Sequence, residues 1–461
     1  MAEAPTDTPP ATPDVNIPRR LFNLALPIIG LNVLNVLALA VDTAMLGRLP
    51  DAEIALTGLS FASQLIFLLM VAMMGLTVGT VAFVARAFGA GQKDRLVHIL
   101  LQSSQLTIMV GVGVATLGNL AAPWLMRALG ADDAAMDAGL AYLRPMLLGS
   151  VFYYLNILFG AVLRGVRNTR LPFWIALASN GLNVVLNYGF ILGNYGMPAL
   201  GIQGAALGTI TSQAFAVVTM VVLLRRGVVD GLTLPLKPAP VDRELARDLF
   251  RIGSPAALDM LVLNASFLSI VGMLGRIDPL AVAAHGIGLR IQALAFVPGM
   301  SISQATGAMV GNALGAGDVD QARSVLRAAM VLCVAVMSVL AMLIIGAAEP
   351  IVALFDVDPA STLGGFSLTW MRLLGWCMPV VGVYIAIVGL LQGSGATRVS
   401  LRINTVATVL FQIPMSFILG FPLGLGAFGV WLAFPLSFAV KVVMGTAAYR
   451  KGDWAKLGAR V

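Results

Sequence analysis

Charge is what this chain has least of. Only 11% of its 461 residues are Asp, Glu, Lys or Arg, where a soluble domain carries about a quarter. With 59% hydrophobic residues, a water-soluble globule is excluded. Cysteine is nearly absent. Cys333 and Cys377 stand singly in apolar runs with no Cys-x-x-Cys spacing, so a disulfide framework and a thiolate metal site are both unsupported. Neither His-Glu-x-x-His nor a Ser/His/Asp set is found, which argues against a membrane-embedded enzyme. No cofactor is called for, and no metal site is assigned. The opening "MAEAPTDTPPATPDVNIP" has neither the charged start nor the apolar centre and cleavage site of a signal peptide. It is expected to be part of a disordered cytoplasmic tail over residues 1–20.

What is abundant is uninterrupted apolar sequence. Runs of about 20 residues recur along the whole chain, the length a helix needs to cross about 30 Å of hydrocarbon. Strands of a membrane barrel would alternate instead. The expected fold is an all-α integral membrane protein with twelve transmembrane helices. The formal net charge of +7 acquires meaning only on that topology. With the N-terminus inside, basic residues crowd onto one face: Arg19, Arg20, Arg86, Lys93, Arg164, Arg170, Arg225, Arg323, Arg398 and Arg450 among them. Few, such as Arg48 and Arg276, fall on the other. The positive-inside rule therefore places both termini in the cytoplasm, and the basic excess is a topology signal with no nucleic-acid partner implied.

The chain repeats itself. "MLGRLPDAEIALTGLSF" from Met45 is echoed by "MLGRIDPLAVAAHGIGL" from Met273, and "VARAFGAGQKDR" from Val84 by "VGNALGAGDVDQ" from Val310. "LRGVRNTR" from Leu163 corresponds to "LQGSGATR" from Leu391. Offsets of about 226–228 residues over several matches indicate duplication. The expected organisation is a six-helix lobe over 21–224, a polar linker over 225–250, a second six-helix lobe over 251–448 and a cytoplasmic tail over 449–461. Six is even, so the repeats enter the membrane in the same orientation. Transporters often handle substrate near the midplane between such halves.

Several motifs, in this order and spacing, resemble the multidrug and toxic compound extrusion (MATE) family. They are "VDTAMLGRL" in the first span, a "GAG" turn after the second, "LRGVRNTR" after the fourth, "NVVLNYGFILG" in the fifth and "GIQGAALGT" opening the sixth. The second half's "AAHGIGLRIQALAFVPGMSISQATGAMVGNALGAG" is similar to the family's eighth helix. The resemblance implies two six-helix lobes around a cavity that opens alternately to each side. It further implies a cation-coupled antiporter, proton in preference to sodium, exporting drugs or other organic, often cationic, small molecules.

Asp42 is the residue that most needs a task. A carboxylate inside a span costs roughly 2.5–3.5 kcal/mol at the helix centre, and intramembrane ionisable residues are functional by default. Asn35 lies seven residues earlier on the same face, while Asn180, Asn183 and Asn187 form a polar stripe on the fifth span. In relatives resembling the DinF branch, a first-helix Asp works with an Asn and an Asp on the fifth helix and a Thr on the sixth. Asp42, Asn183 and Thr209 match; Asn187 stands where the second carboxylate would be. That departure favours one-proton chemistry at Asp42, with sodium the alternative.

Asp259, on the seventh span, is the second intramembrane carboxylate, either functional or paired with a basic neighbour such as Arg251. His285 and Gln304 on the eighth span complete a candidate second-lobe site. The "GAG" turns have no Gly-Lys-Ser/Thr after them and read as helix C-caps. Gly75 with Gly79, and Gly204 with Gly208, have the spacing that lets helices approach closely. The expected setting is the bacterial inner membrane, with membrane lipids and a small organic substrate as partners and the protein a monomer. A lipid-linked precursor flippase of the same wider superfamily is the rival reading.

Overall fold

The computed structural model describes residues 16–229, 231–235, 237 and 239–458. Most of the expected N-terminal tail, residues 1–15, lies outside the described residues. Its last part is helical, because α1 (Ile17–Leu46) starts with Pro18 in its first turn, where a proline's missing N–H costs nothing. The remaining spans of the first half are α2 (Ala52–Gly89), α3 (Lys93–Ala128), the pair α4 (Asp133–Leu148) and α5 (Ser150–Gly165), α6 (Arg170–Leu192) and α7 (Ile202–Arg225). Those of the second half are α8 (Arg243–Ile277), α9 (Pro279–Gly315), α10 (Val319–Gly346), α12 (Thr362–Gly393), the composite Thr397–Gly420 and α15 (Gly426–Lys451). Two short helices, α11 (Ala348–Ala353) and α16 (Asp453–Gly458), lie outside the spans.

Eleven described helices are long and apolar enough to cross a membrane, and α4 with α5 makes a twelfth span bent by 56°. The bend follows Pro145 and falls at Gly149, where the lost ladder donor and the ring clash of proline break the helix. The eleventh span is also composite. It runs as α13 (Thr397–Asn404), a π-helical stretch (Thr405–Gln412) and α14 (Ile413–Gly420). Wide turns of this kind are rare and concentrate at functional sites. Several helix starts are capped by side chains: Asp132, Asp278, Asp318 and Ser361 each accept a backbone N–H of the first turn.

The polar linker is tied down at its second end. Asp242 caps α8 through the amides of Glu244 and Leu245 and accepts from His98 Nε2 on α3 at 3.0 Å. These donors, the Leu245 amide first, hold the Asp242 carboxyl below the usual carboxylate range. Gln102 and Gln105 of α3 donate to the carbonyls of Pro240 and Ala239.

The two halves meet along a seam at the end of the molecule where α1 begins and α15 ends. Gly75 and Gly79 on α2 press against the carbonyls of Gly253 and Leu249 on α8. The first turns of α1 contribute Ile17, Leu21, Leu24 and Ile28 to an apolar core built mainly from α9, α10 and α12, so α1 belongs to both halves by packing.

The seam is reciprocal. A Cβ on Gly89 would lie 2.0 Å from the Asn312 carbonyl oxygen, and one on Gly315, its counterpart in the repeat, 2.2 Å from that of Arg86. Arg86 and Asn312 occupy matching repeat positions. Arg86 Nη2 donates to the carbonyl of Ser394 at the end of α12, and Asn312 Nδ2 donates to that of Gly165 at the end of α5 at 2.9 Å. The "GAG" turns behave as caps: Gly91 and Gly317 take φ of 69° and 77°, the left-handed region that glycine enters freely.

Candidate functional site

In the first half, the structure joins four residues that the sequence singled out. Asn187 Nδ2 donates to Asp42 Oδ1 at 2.6 Å and reaches Asn183 Oδ1 at 3.3 Å. Asn183 Nδ2 in turn reaches Thr209 Oγ1 at 3.4 Å. The chain Asp42–Asn187–Asn183–Thr209 thus crosses α1, α6 and α7. Close packing makes it possible, because Gly204 sits on the Phe190 carbonyl and any Cβ at Gly208 would collide with Asn187 Oδ1. Asn183 and Asn187 are buried, and Asn187 Oδ1 has no hydrogen-bond partner among the described residues.

The network sets one carboxylate among two amides and a hydroxyl, with Asn187 turning its nitrogen to Asp42 and leaving its own oxygen without a partner among the described residues. Tyr142, on α4, lies close enough to interact electrostatically with Asp42; sequence reasoning did not find it. The other two amides do not join the chain. Asn180 makes no hydrogen bond among the described residues, and Asn35 lines the central cavity instead.

That cavity, about 690 Å³, lies between the halves beyond the seam. From the first half it is lined by Asn32, Asn35, Met70, Met74, Asn156 and Arg164, with Asn32 donating to Ser301 Oγ across the interface at 2.9 Å. From the second it is lined by Asp259, His285, Gln304, Trp370, Asn404 and Lys441. The second-lobe candidates therefore share one wall, but they do not form one hydrogen-bonded group. Asp259 Oδ2 accepts from Ser400 Oγ at 3.0 Å and Oδ1 from Asn404 Nδ2 at 2.7 Å. Asn404 Oδ1 accepts from Tyr384 Oη at 2.9 Å. The expected alternative partner, Arg251, is not used, because the eleventh span brings two neutral donors across the seventh and satisfies both oxygens.

His285 is buried, and neither ring nitrogen has a hydrogen-bond partner among the described residues. It packs among the rings of Phe267, Trp370 and Trp431.

Three basic residues correct the sequence picture. Arg86 and Arg164, counted in the sequence among the basic residues of one face, are inside the protein: Arg86 is 4% exposed at the seam, and Arg164 faces the cavity. Both sit within a turn of a helix end, where sequence cannot tell a loop side chain from one folded back between helices. Lys441 was overlooked altogether. A lone lysine within "SFAVKVVMGTA" is the same signal that singled out Asp42.

Two six-helix repeats meeting at a seam, with a cavity between them and a hydrogen-bonded carboxylate network in each, define a membrane transporter. The MatE family model matches residues 27–189 and 255–418, once in each half. The chain belongs to the MatE family. It is 26% identical over 442 residues to a probable multidrug resistance protein NorM of Thermotoga maritima, covering 95% of this chain and 94% of that one. To a probable multidrug resistance protein NorM of Burkholderia mallei it is 30% identical, covering 95% and 93%. Its fold is similar to that of an outward-facing multidrug resistance MATE family transporter, with a TM-score of 0.86 and 22% identity over 96% of each chain.

Proposed function

We propose that this transporter exports small organic molecules across the bacterial inner membrane by alternating access, driven by protons entering through Asp42. The observation that carries the reading is the chain Asp42–Asn187–Asn183–Thr209, one carboxylate wired to amides and a hydroxyl on three helices. Protonation neutralises Asp42 and turns it from acceptor to donor, which rearranges the amides and biases one conformation over the other. A single titratable group favours proton over sodium, although the free Asn187 oxygen would also serve a sodium ion. Export of drugs is supported by the multidrug resistance names of the relatives.

With both termini cytoplasmic, the seam is the inner gate, closed here, and the cavity belongs to an outward-facing state of a monomer. Arg164 and Lys441 give that cavity a basic character that the rival lipid-linked flippase would also use. The deciding experiment is transport in proteoliposomes under separately imposed proton and sodium gradients. Efflux of a soluble dye under a proton gradient alone is expected. Movement of a headgroup-bearing lipid and no dye would favour the rival.

Topology is tested independently. Single cysteines at Arg48 and Asp278 should be labelled by an impermeant thiol reagent in intact cells, and cysteines at Lys93 and Arg398 only after permeabilisation. The reverse pattern would invert the orientation.

A further inference from the structure

Lys441 has no task in the export reading. It stands in the apolar middle of α15 at 2% exposure, and its side chain lines the central cavity. Its ammonium lies 4.6 Å from the ring centroid of Phe438 and 5.7 Å from that of Tyr384. Among the described residues it makes no hydrogen bond and no ion pair. Asp259 acts on it electrostatically, but both carboxylate oxygens of Asp259 already accept from Ser400 and Asn404. Ring faces offset only part of the cost of burying an ammonium.

The cavity wall as a whole is unbalanced in the same sense. Its charged residues are Arg164, Lys441 and Asp259, and Arg164 likewise has no hydrogen bond or ion pair among the described residues. The rings beside Lys441 are those of Phe438 and Tyr384, and the same cavity wall carries Phe296, Trp370, Trp431 and Phe434. A ligand that fits such a wall has an anionic oxygen group for the ammonium and a flat apolar body for the rings.

We propose that the central cavity binds cargo carrying a carboxylate on an aromatic body, an organic acid or zwitterion, with the Lys441 ammonium as the contact for the anion. The proposal rests on the export reading, in that it takes this cavity as the cargo site, and it changes the expected cargo from a cation. A purely cationic molecule here meets two basic side chains and a single carboxylate, each of whose oxygens already accepts one hydrogen bond.

The test is equilibrium binding to the purified full-length protein in a neutral detergent, read by fluorescence anisotropy. The probes are 7-diethylaminocoumarin-3-carboxylate, its neutral carboxamide and a quaternary-ammonium amide of the same scaffold. The wild type should bind the carboxylate about 10–100-fold more tightly than the carboxamide, the range for a charge-assisted contact. Lys441→Met should erase that preference, and Lys441→Arg should keep most of it. Equal binding of the three probes by the wild type, or an unchanged preference in Lys441→Met, would overturn the proposal. So would displacement by short-chain phosphatidylglycerol at lower concentration than the carboxylate probe needs, which would assign the ammonium to a lipid phosphate. Should Lys441→Met fail to run as a folded species in size exclusion, the wild-type preference and Lys441→Arg still decide. Transport of the same probes separates the two readings. Carboxamide efflux without any carboxylate preference leaves export standing and removes the anion site; carboxylate binding without transport of any probe does the reverse.

Discussion

Asp42→Asn should abolish gradient-driven efflux and leave a folded, substrate-binding protein. Asn keeps the size of Asp and can still face the Asn187 amide that now donates to Asp42 at 2.6 Å, but it cannot take up or release a proton. Each proton moving inward across about 100 mV supplies roughly 2.3 kcal/mol, which sustains about a fiftyfold gradient of a neutral substrate at one-to-one exchange. The variant should therefore bring the dye ratio across a proteoliposome to about one. Binding measured in the same preparation separates lost coupling from lost folding. Normal pH-driven transport by Asp42→Asn would refute the role. Asn187→Asp works the other way. It removes the donor and sets a second carboxylate within hydrogen-bonding reach of Asp42, an arrangement that needs a shared proton or a cation. A sodium dependence absent from the wild type is expected.

Gly315→Leu should cost nearly all transport by a different route. Any Cβ at this position lands 2.2 Å from the Arg86 carbonyl oxygen, and backbone on both sides leaves nothing flexible to yield. Overpacking of ordinary cores costs about 1–3 kcal/mol; here the penalty falls only on the conformation in which the seam is shut. Every 1.4 kcal/mol lowers the population of that conformation about tenfold. A cysteine at Gln304, in the cavity wall, should become reachable by an impermeant reagent from the side of the termini. Gly113→Leu is the control, since open space surrounds that position, and it should transport as the wild type does. Unchanged transport by Gly315→Leu would mean that the seam is not a gate.

The first-half site was legible because two independent signals converge there, a carboxylate where carboxylates are costly and amides at helical spacing on another span. Local periodicity supplies both. The second-half cluster was only half legible. Asp259 stood out, but its partners Ser400 and Asn404 are 141 and 145 residues away and carry no charge to attract notice. The π-helical stretch that follows them has no pattern in the sequence. The burial of Arg86 was hidden for a related reason, as a charge near a span end folds back into the seam only because a helix terminus from the other half is there to receive it. Asn180 shows the converse, matching the stripe's spacing while standing outside the network.

Two copies of a six-helix protein related by a twofold axis would meet through one patch used twice, each residue finding on the other copy the partner that its twin finds in return. The contacts of Gly89 with the Asn312 carbonyl and of Gly315 with the Arg86 carbonyl keep that form inside a single chain, as a fused dimer would, and those of Arg86 with Ser394 and of Asn312 with Gly165 keep it to within one residue. Fusion also lets the two arms of a clasp diverge. One arm now holds with a guanidinium and the other with a neutral amide, and a charged donor is worth about 1.5–3 kcal/mol net against about 0.5–1.5 for a neutral one. If the seam opens, the neutral Asn312 arm at the end of α5 is the one expected to let go first, and hydrogen exchange of the Gly165 and Ser394 segments would report the order.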